Sequence, residues 1–361
     1  MKIRLASAQP ARRVVDYRLP PPAALEQVGQ HLDALVSLVE RAAGTGCDAL
    51  CLPEDTMGLL NWQAGNPALV DRVLPAAVGQ MLERLGRAAA AAGMYLVCCS
   101  DALEGGDMYN TSFLLGRDGG QLGRYRKINM PYSELGGRRR GDGYPVFDTP
   151  DLGPVGLLIC YDMVFPESLR CLALGGAGIV FHSTLGGACF GDEALDEAAF
   201  RVRAVDNQVY LVVAWRGAGS RIIAPSGAVL AAAEGEDGLA IADIDPDDGR
   251  QGGNAFDHQQ DLRARLFRER APESYGILTD PAPPVLQRVP TAQTPAEVSR
   301  IADAALTVGE ERFQAAEALL QGGRRQEAAD AYHTLQREFP RTWIDRVSAQ
   351  RLLAMETPEG A

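Results

Sequence analysis

Short apolar runs alternate with longer helical stretches along most of this chain, and that alternation restricts its fold more than any other feature. Strands are predicted over Ile3–Ala8, Ala49–Leu52, Tyr95–Cys99, Thr111–Leu115, Val155–Cys160, Gly178–His182 and Tyr210–Ala214. Helices are predicted over Ala23–Ala43, Leu74–Ala92, Glu167–Leu174 and Ala194–Asn207. The first carries Leu32, Leu35, Val36 and Val39 at helical spacing, and Gly93 stands where a helix C-terminus favours glycine. Ile222-Ile223 and Ala228–Ala232 flank Pro225-Ser226-Gly227, a hairpin signal. Repeated strand–helix–strand spacing of this kind predicts an α/β layered domain.

The pattern changes near residue 280. Asp280–Pro284 is a stiff, turn-like Asp-Pro-Ala-Pro-Pro, and no clear periodicity follows before Pro295. From Ala296 onward the chain reads as helix. Ala318–Pro340 holds a glycine break, then Glu327-Ala328 and Tyr332, then a helix-ending proline, and it resembles one tetratricopeptide-type hairpin. A single repeat cannot bury its own apolar face, so it must pack on flanking helices, the α/β domain or another subunit. The expected organisation is an α/β domain over 1–280, a linker over 281–295, and a small all-α extension over 296–361 that folds as a separate helical unit.

A net charge of -12 on 361 residues argues against nucleic acid or an anionic membrane as partner, since both need a basic face. Arg138-Arg139-Arg140 reads as a short solvated loop. The uncharged run Cys171–Gly191 holds six glycines and a central His-Ser-Thr, so it is predicted as buried strand plus loop, not a membrane span. The first residues show no apolar signal region, and seven cysteines are an odd number in a large chain. Both observations favour reduced thiols in a cytoplasm. No metal or cofactor is expected. Cys47 and Cys51 lack a His-x-x-His or Cys-x-x-Cys companion. Asp243, Asp245 and Asp247 open a calcium-like loop, but it carries Asp248 and Asn254 where glycine and glutamate are required.

Three stretches each place one ionisable residue after a strand or in a loop. Glu54 follows Leu52-Pro53, Lys127 sits in the extended Gly123–Pro131, and Cys160 ends the apolar run Gly156-Leu-Leu-Ile. Taken singly, each has a plain structural role: helix-cap acid, surface cation, core thiol. Together they supply what acyl transfer at a carbon–nitrogen bond requires. A thiol is only slightly ionised at neutral pH and needs a base and a cation nearby. A glutamate can take its proton and hand it to the departing amine, and a lysine can stabilise the oxyanion of the tetrahedral intermediate. The backbone N–H of Tyr161 would be a second oxyanion donor.

In order, Pro-Glu54-Asp, Tyr-Arg-Lys127, and Cys160-Tyr-Asp with Phe-Pro-Glu167 and Arg170 resemble the nitrilase superfamily of carbon–nitrogen hydrolases. The resemblance spans about residues 1–280 and includes Gly176–Phe181, Arg203–Tyr210, Ser220–Gly227 and Arg270–Tyr275. It implies a four-layer α-β-β-α sandwich, assembling as a homodimer or larger homo-oligomer through the helices flanking the nucleophile. It implies Cys160 as nucleophile, Glu54 as general base, Lys127 as oxyanion stabiliser and Glu134 as substrate-positioning carboxylate, with a thioester intermediate and no cofactor. Cys-Tyr-Asp in place of Cys-Trp-Glu points to an amide over a nitrile, and the expected activity is that of an amidase or N-carbamoyl hydrolase of this family.

Three positions depart from the family's commonest pattern: Met163-Val164, Phe181-His182-Ser183-Thr184 and Trp215. All neighbour the expected pocket and bear on substrate identity. His182 is open to two readings, a substrate hydrogen bond or a satisfied loop histidine. Other functions stay open too: a nitrilase or amide-forming acyltransferase, or a scaffold whose helical tail recruits a protein partner. A papain-like protease with His182 as base lacks its Cys-Gly-Ser-Cys-Trp-like block, and His258 and His333 lie in helical or tail segments.

Overall fold

The computed structural model describes residues 2–186, 193–217, 219–246, 262–289 and 293–356; Asp247, Asp248, Asn254 and His258 lie outside them. The first half of the chain runs β1 (Ile3–Gln9), α1 (Pro21–Gly44), β2 (Ala49–Cys51), α2 (Leu60–Gly65), α3 (Val70–Ala92), β3 (Tyr95–Glu104), β4 (Asp107–Leu115) and β5 (Gln121–Arg126). After the one-turn α4 (Tyr132–Leu135) come β6 (Val146–Thr149), β7 (Gly153–Ile159), α5 (Pro166–Leu174), β8 (Ile179–Thr184), α6 (Glu193–Asn207) and β9 (Tyr210–Trp215). Next are β10 (Arg221–Ile223), β11 (Val229–Ala232), β12 (Gly238–Ile244) and α7 (Leu262–Arg268). The C-terminal helices are α8 (Pro295–Ala304), α9 (Glu310–Gln321), α10 (Arg325–Glu338) and α11 (Trp343–Glu356).

Two six-stranded sheets result, ordered β12-β1-β2-β3-β4-β5 and β11-β10-β9-β8-β7-β6. Each has three parallel strands at its centre, one antiparallel strand on one side and an antiparallel meander on the other. Parallel strands are covered on both faces, so they read as continuous apolar runs and only the pleat decides which side chain meets which layer. Ile3, Leu5, Cys51, Val97 and Cys99 join Leu157, Phe181 and Val212 in one core. Their neighbours Ala6, Ala8, Leu50, Leu52, Leu96 and Cys98 pack on Val28, Leu32 and Leu35 of α1 and on Leu74, Met81 and Leu85 of α3. The result is the four-layer α-β-β-α sandwich. Ser7 Oγ donates to the Val213 carbonyl at 2.5 Å, tying β1 to β9 across the inner layer.

Several elements escape the hydropathy pattern. β5 (Gln-Leu-Gly-Arg-Tyr-Arg) is a polar edge strand with one side in water, and β6 is only four residues long. β12 pairs with β1 across more than two hundred residues of sequence, a contact no local window contains. β3 and β4 run beyond their predicted ends because they close on Gly105-Gly106, both at positive φ, the two-residue turn that a right-twisted hairpin prefers.

The C-terminal helices hold a core of their own, with Phe313, Ala316, Ala328, Tyr332, Leu335, Phe339 and Ile344 buried together. They are also bolted to the sandwich. Asn61 Nδ2 donates to the Leu306 carbonyl at 2.6 Å, and Arg12 grips the buried Glu310 carboxylate with both guanidinium nitrogens. No helix among the described residues is long and apolar enough to cross a membrane.

Two glycines of α3 test this packing. A Cβ on Gly86 would lie 2.7 Å from the Gly119 carbonyl oxygen, whereas nothing lies within 4 Å of one on Gly79. Helix propensity favours alanine at both by about 1 kcal/mol. At Gly86 the overpacking cost of about 1–3 kcal/mol wins. Thermal unfolding should therefore show Gly79→Ala raising Tm and Gly86→Ala lowering it; the same sign at both sites would refute this account of the helix contact.

Candidate active site

The three ionisable residues singled out above all sit at the C-terminal ends of strands, where open α/β sheets gather their ligands. After β2 the chain turns at Pro53 and presents Glu54. Asp55, at φ 49°, holds that turn by accepting from the amides of Leu59 (2.9 Å) and Leu60 (3.2 Å) and from Arg216 (2.9 Å). Burial pushes the Asp55 carboxyl up to about 6, against the opposing pull of Arg216. Lys127 follows β5 and stays tied to β4 by its amide, which donates to the Asn110 carbonyl at 2.8 Å. Cys160 follows β7 at φ 43°, a conformation L residues adopt rarely, and opens a 3-10 turn over Cys160–Val164.

These residues converge. Lys127 is fully buried and Glu54 is 3% exposed. Lys127 Nζ donates to Glu54 Oε1 at 3.1 Å and to Glu134 Oε1 at 2.7 Å. Glu54 Oε1 also accepts from Asn110 Nδ2 at 2.7 Å, its Oε2 accepts from the Leu185 amide at 3.0 Å, and the Cys160 thiol hydrogen-bonds the same carboxylate. Burial pushes the Glu54 carboxyl up, but Lys127 and these hydrogen bonds outweigh it and leave it below its ordinary value. Burial pulls the Lys127 ammonium down, but Glu134, Glu54 and Cys160 outweigh that and hold it well above. Both groups are therefore charged at neutral pH. The remaining Glu134 oxygen, Oε2, is buried and has no partner among the described residues.

Among the described residues, three deeply buried thiols lack this setting. Cys51, Cys98 and Cys99 are buried in the core, where burial pushes each thiol up, Cys51 to about 12. They behave as packing residues; Cys160, half-buried beside a carboxylate and an ammonium, does not.

The sequence profile of the carbon-nitrogen hydrolase family matches residues 4–253. This chain is a carbon-nitrogen hydrolase. It is 31% identical over 246 residues to omega-amidase NIT2 of Xenopus tropicalis, covering 60% of this chain and 83% of that protein. It is 35% identical over 164 residues to a nitrilase of Pyrococcus abyssi, covering 42% and 60%. Among solved structures it resembles a mutant of the amidase from Nesterenkonia sp. AN1 that carries the Michael addition of acrylamide at its active site cysteine. That match has TM-score 0.57 and 26% identity, covering 74% of this chain and 99% of that one. The family and these amidases make the protein an amidase-like hydrolase of carbon–nitrogen bonds other than peptide bonds.

Several residues of this hydrolase's site escaped the sequence reading. Asn110 is a polar residue inside a strand, and only its buried position reveals that it orients Glu54. Asp162 lies beneath the Cys160 turn, fully buried. It accepts from Tyr125 Oη (2.7 Å), the Ile159 amide (3.1 Å), the Asn129 amide (2.8 Å) and Asn129 Nδ2 (3.2 Å). Burial pushes its carboxyl up to about 6, against those bonds. His182 belongs to β8, not to a loop, and is fully buried with Nε2 3.1 Å from the Cys160 carbonyl. Burial lowers its imidazole to about 4, so it is neutral at physiological pH and donates through Nε2–H. Its ring meets Phe200 edge-on, and Phe200 meets Trp215, which leaves no room for a Cβ on Gly186. Tyr161 is half-buried and meets Phe165 edge-on, with ring centroids 5.5 Å apart.

Asp162→Asn would turn an amide NH2 toward groups that are themselves donors. The variant should lose about 1–3 kcal/mol of stability, the usual cost of stranding buried polar groups. Urea unfolding at constant m-value measures this, and an unchanged midpoint would show that the turn does not rest on Asp162.

Proposed function

We propose that Cys160 attacks the carbonyl carbon of a small amide or N-carbamoyl compound. The single observation that supports this best is the buried Lys127 ammonium bridging Glu54 and Glu134, with the Cys160 thiol hydrogen-bonded to Glu54. Glu54 takes the thiol proton as sulfur bonds to carbon, and Lys127 with the Tyr161 amide stabilises the oxyanion. Glu54 returns that proton to the departing nitrogen, the carbon–nitrogen bond breaks, and ammonia or an amine leaves a thioester. Glu54 then deprotonates water, which attacks the thioester and releases the acid and the thiol. Glu134 Oε2, without a partner among the described residues, is suited to accept an N–H of the substrate amide. His182 serves the substrate indirectly, by holding the Cys160 carbonyl. The covalent addition at the active site cysteine of the Nesterenkonia amidase supports a nucleophilic role for the cysteine here.

Assembly and location belong to the same proposal. Leu174 on α5 and Leu195, Val202 and Val205 on α6 are exposed, which suits a homodimer or larger assembly through these helices. The tetratricopeptide-like reading of the C-terminal helices leaves room for a protein partner there, and a cytoplasmic location accords with six cysteines outside any disulfide among the described residues.

A panel of primary amides, N-carbamoyl amino acids and nitriles, assayed for ammonia, tests the reading. Turnover should fall on the amides or carbamoyl compounds and vanish in Cys160→Ala; residual turnover in a clean preparation of that variant would overturn the nucleophile assignment. Acyl transfer to an added amine in place of ammonia plus acid would identify an acyltransferase. Lys127→Ala should lower kcat by about 100-fold or more, as loss of an oxyanion donor does. A several-fold effect in folded protein would return Lys127 to a packing role.

A further inference from the structure

The segment that carries Glu134 has little to hold it in place by itself. α4 is a single turn of four residues between Pro131 and Gly136, far below the length at which a helix sustains itself. From below, Arg138 fastens it: its side chain forms a bidentate pair with Asp101 at 2.7 and 2.6 Å, and its amide donates to the Glu134 carbonyl at 3.0 Å. From above, the segment is covered by α8 of the C-terminal helices. Ser299 Oγ donates to the Ser133 carbonyl at 2.9 Å. A Cβ on Gly136 would lie 2.5 Å from that same Ser299 oxygen, so α8 is seated on bare backbone.

α8 is itself fixed at both ends. At its start Thr294 and Glu297 cap each other, the Thr294 amide donating to Glu297 Oε2 at 2.8 Å and the Glu297 amide to Thr294 Oγ1 at 3.3 Å. Just beyond its end, Asn61 holds the Leu306 carbonyl and Arg12 holds Glu310, with the Arg12 guanidinium also 4.4 Å from the Trp343 ring centre. Arg12 and Asn61 belong to the sandwich, so the brace closes a loop from the sandwich through the tail and back onto the Glu134 segment.

We propose that α8 is a positioning element of the active site: it clamps residues 131–138 so that Glu134 stays on Lys127. This rests on the role given to Glu134 and Lys127 above. The C-terminal helices would then be part of the catalytic apparatus, and not a detachable appendage. Gly136 and Ser299 are positioning residues, since neither touches the reacting atoms.

The test uses the full chain with Gly136→Val, which forces α8 off its seat, and Ser299→Ala, which removes the hydrogen bond without adding bulk. Amide hydrogen exchange over residues 131–139 should accelerate in both variants while β1 and β7 keep their protection. Gly136→Val should lower kcat/KM on the best amide by about 100-fold, the scale of a displacement of about 1 Å near the chemistry. That loss should shrink below about twofold in a Glu134→Ala background, because a clamp acting through Glu134 has nothing left to position. Unchanged exchange in both variants overturns the proposal, and so does an equal loss in both backgrounds. Should Gly136→Val fail to fold, Ser299→Ala is read by the same two measurements. Full turnover in Glu134→Ala alone would sink the role of Glu134, not the clamp, which the exchange data judge without any substrate.

Discussion

A lysine ammonium sealed from water is the constraint around which the rest of this molecule is arranged. Placing Lys127 at zero exposure carries a large desolvation cost, and the structure meets it with two carboxylates, Glu54 and Glu134, each from a different segment. Glu54 is in turn saturated by Asn110, the Leu185 amide and the Cys160 thiol. Removing Lys127 would leave two carboxylates with no cation between them, a loss of about 3–5 kcal/mol. Both sheets must therefore deliver their strand ends to one point: Glu54 and Lys127 come from the first, Cys160 from the second.

The second device is the turn at Cys160. A non-glycine residue at positive φ costs about 1–3 kcal/mol and persists only where its surroundings over-determine it. Here Asp162 collects hydrogen bonds from β5, the Asn129 loop and β7, while His182 secures the Cys160 carbonyl from β8. The strain and its supports lie on the residue whose sulfur faces Glu54, so the sulfur is held out from the strand and not folded into the core as Cys51 and Cys99 are.

Much of this was legible in the chain. Glu54 and Cys160 each end an apolar run, so a polar group at a strand's C-terminal end is visible there without coordinates, and Lys127 stands within an extended segment. The strands before Glu54 and Cys160 were equally plain, because buried parallel strands are apolar on both faces; β5, the polar edge strand before Lys127, was not. The supports were not. Asn110 looks like any polar residue of a half-solvated strand, and Asp162 like a turn aspartate. His182 reads as readily as a loop residue as a strand one. Their significance lies in depth of burial and in partners more than twenty residues away, which local hydropathy does not encode.

The sequence by itself determined the layered α/β class, the helical character of the C-terminal segment and the identity of the ionisable groups, because strand and helix periodicities and residue types are local properties. Only the tertiary structure decided that Glu54, Lys127, Glu134 and Cys160 meet, that β12 closes the first sheet, and that α8 rests on the Glu134 segment. Each of these is a contact between stretches far apart along the polymer. Such contacts follow from how whole faces are buried together, and that is a property of the packed molecule.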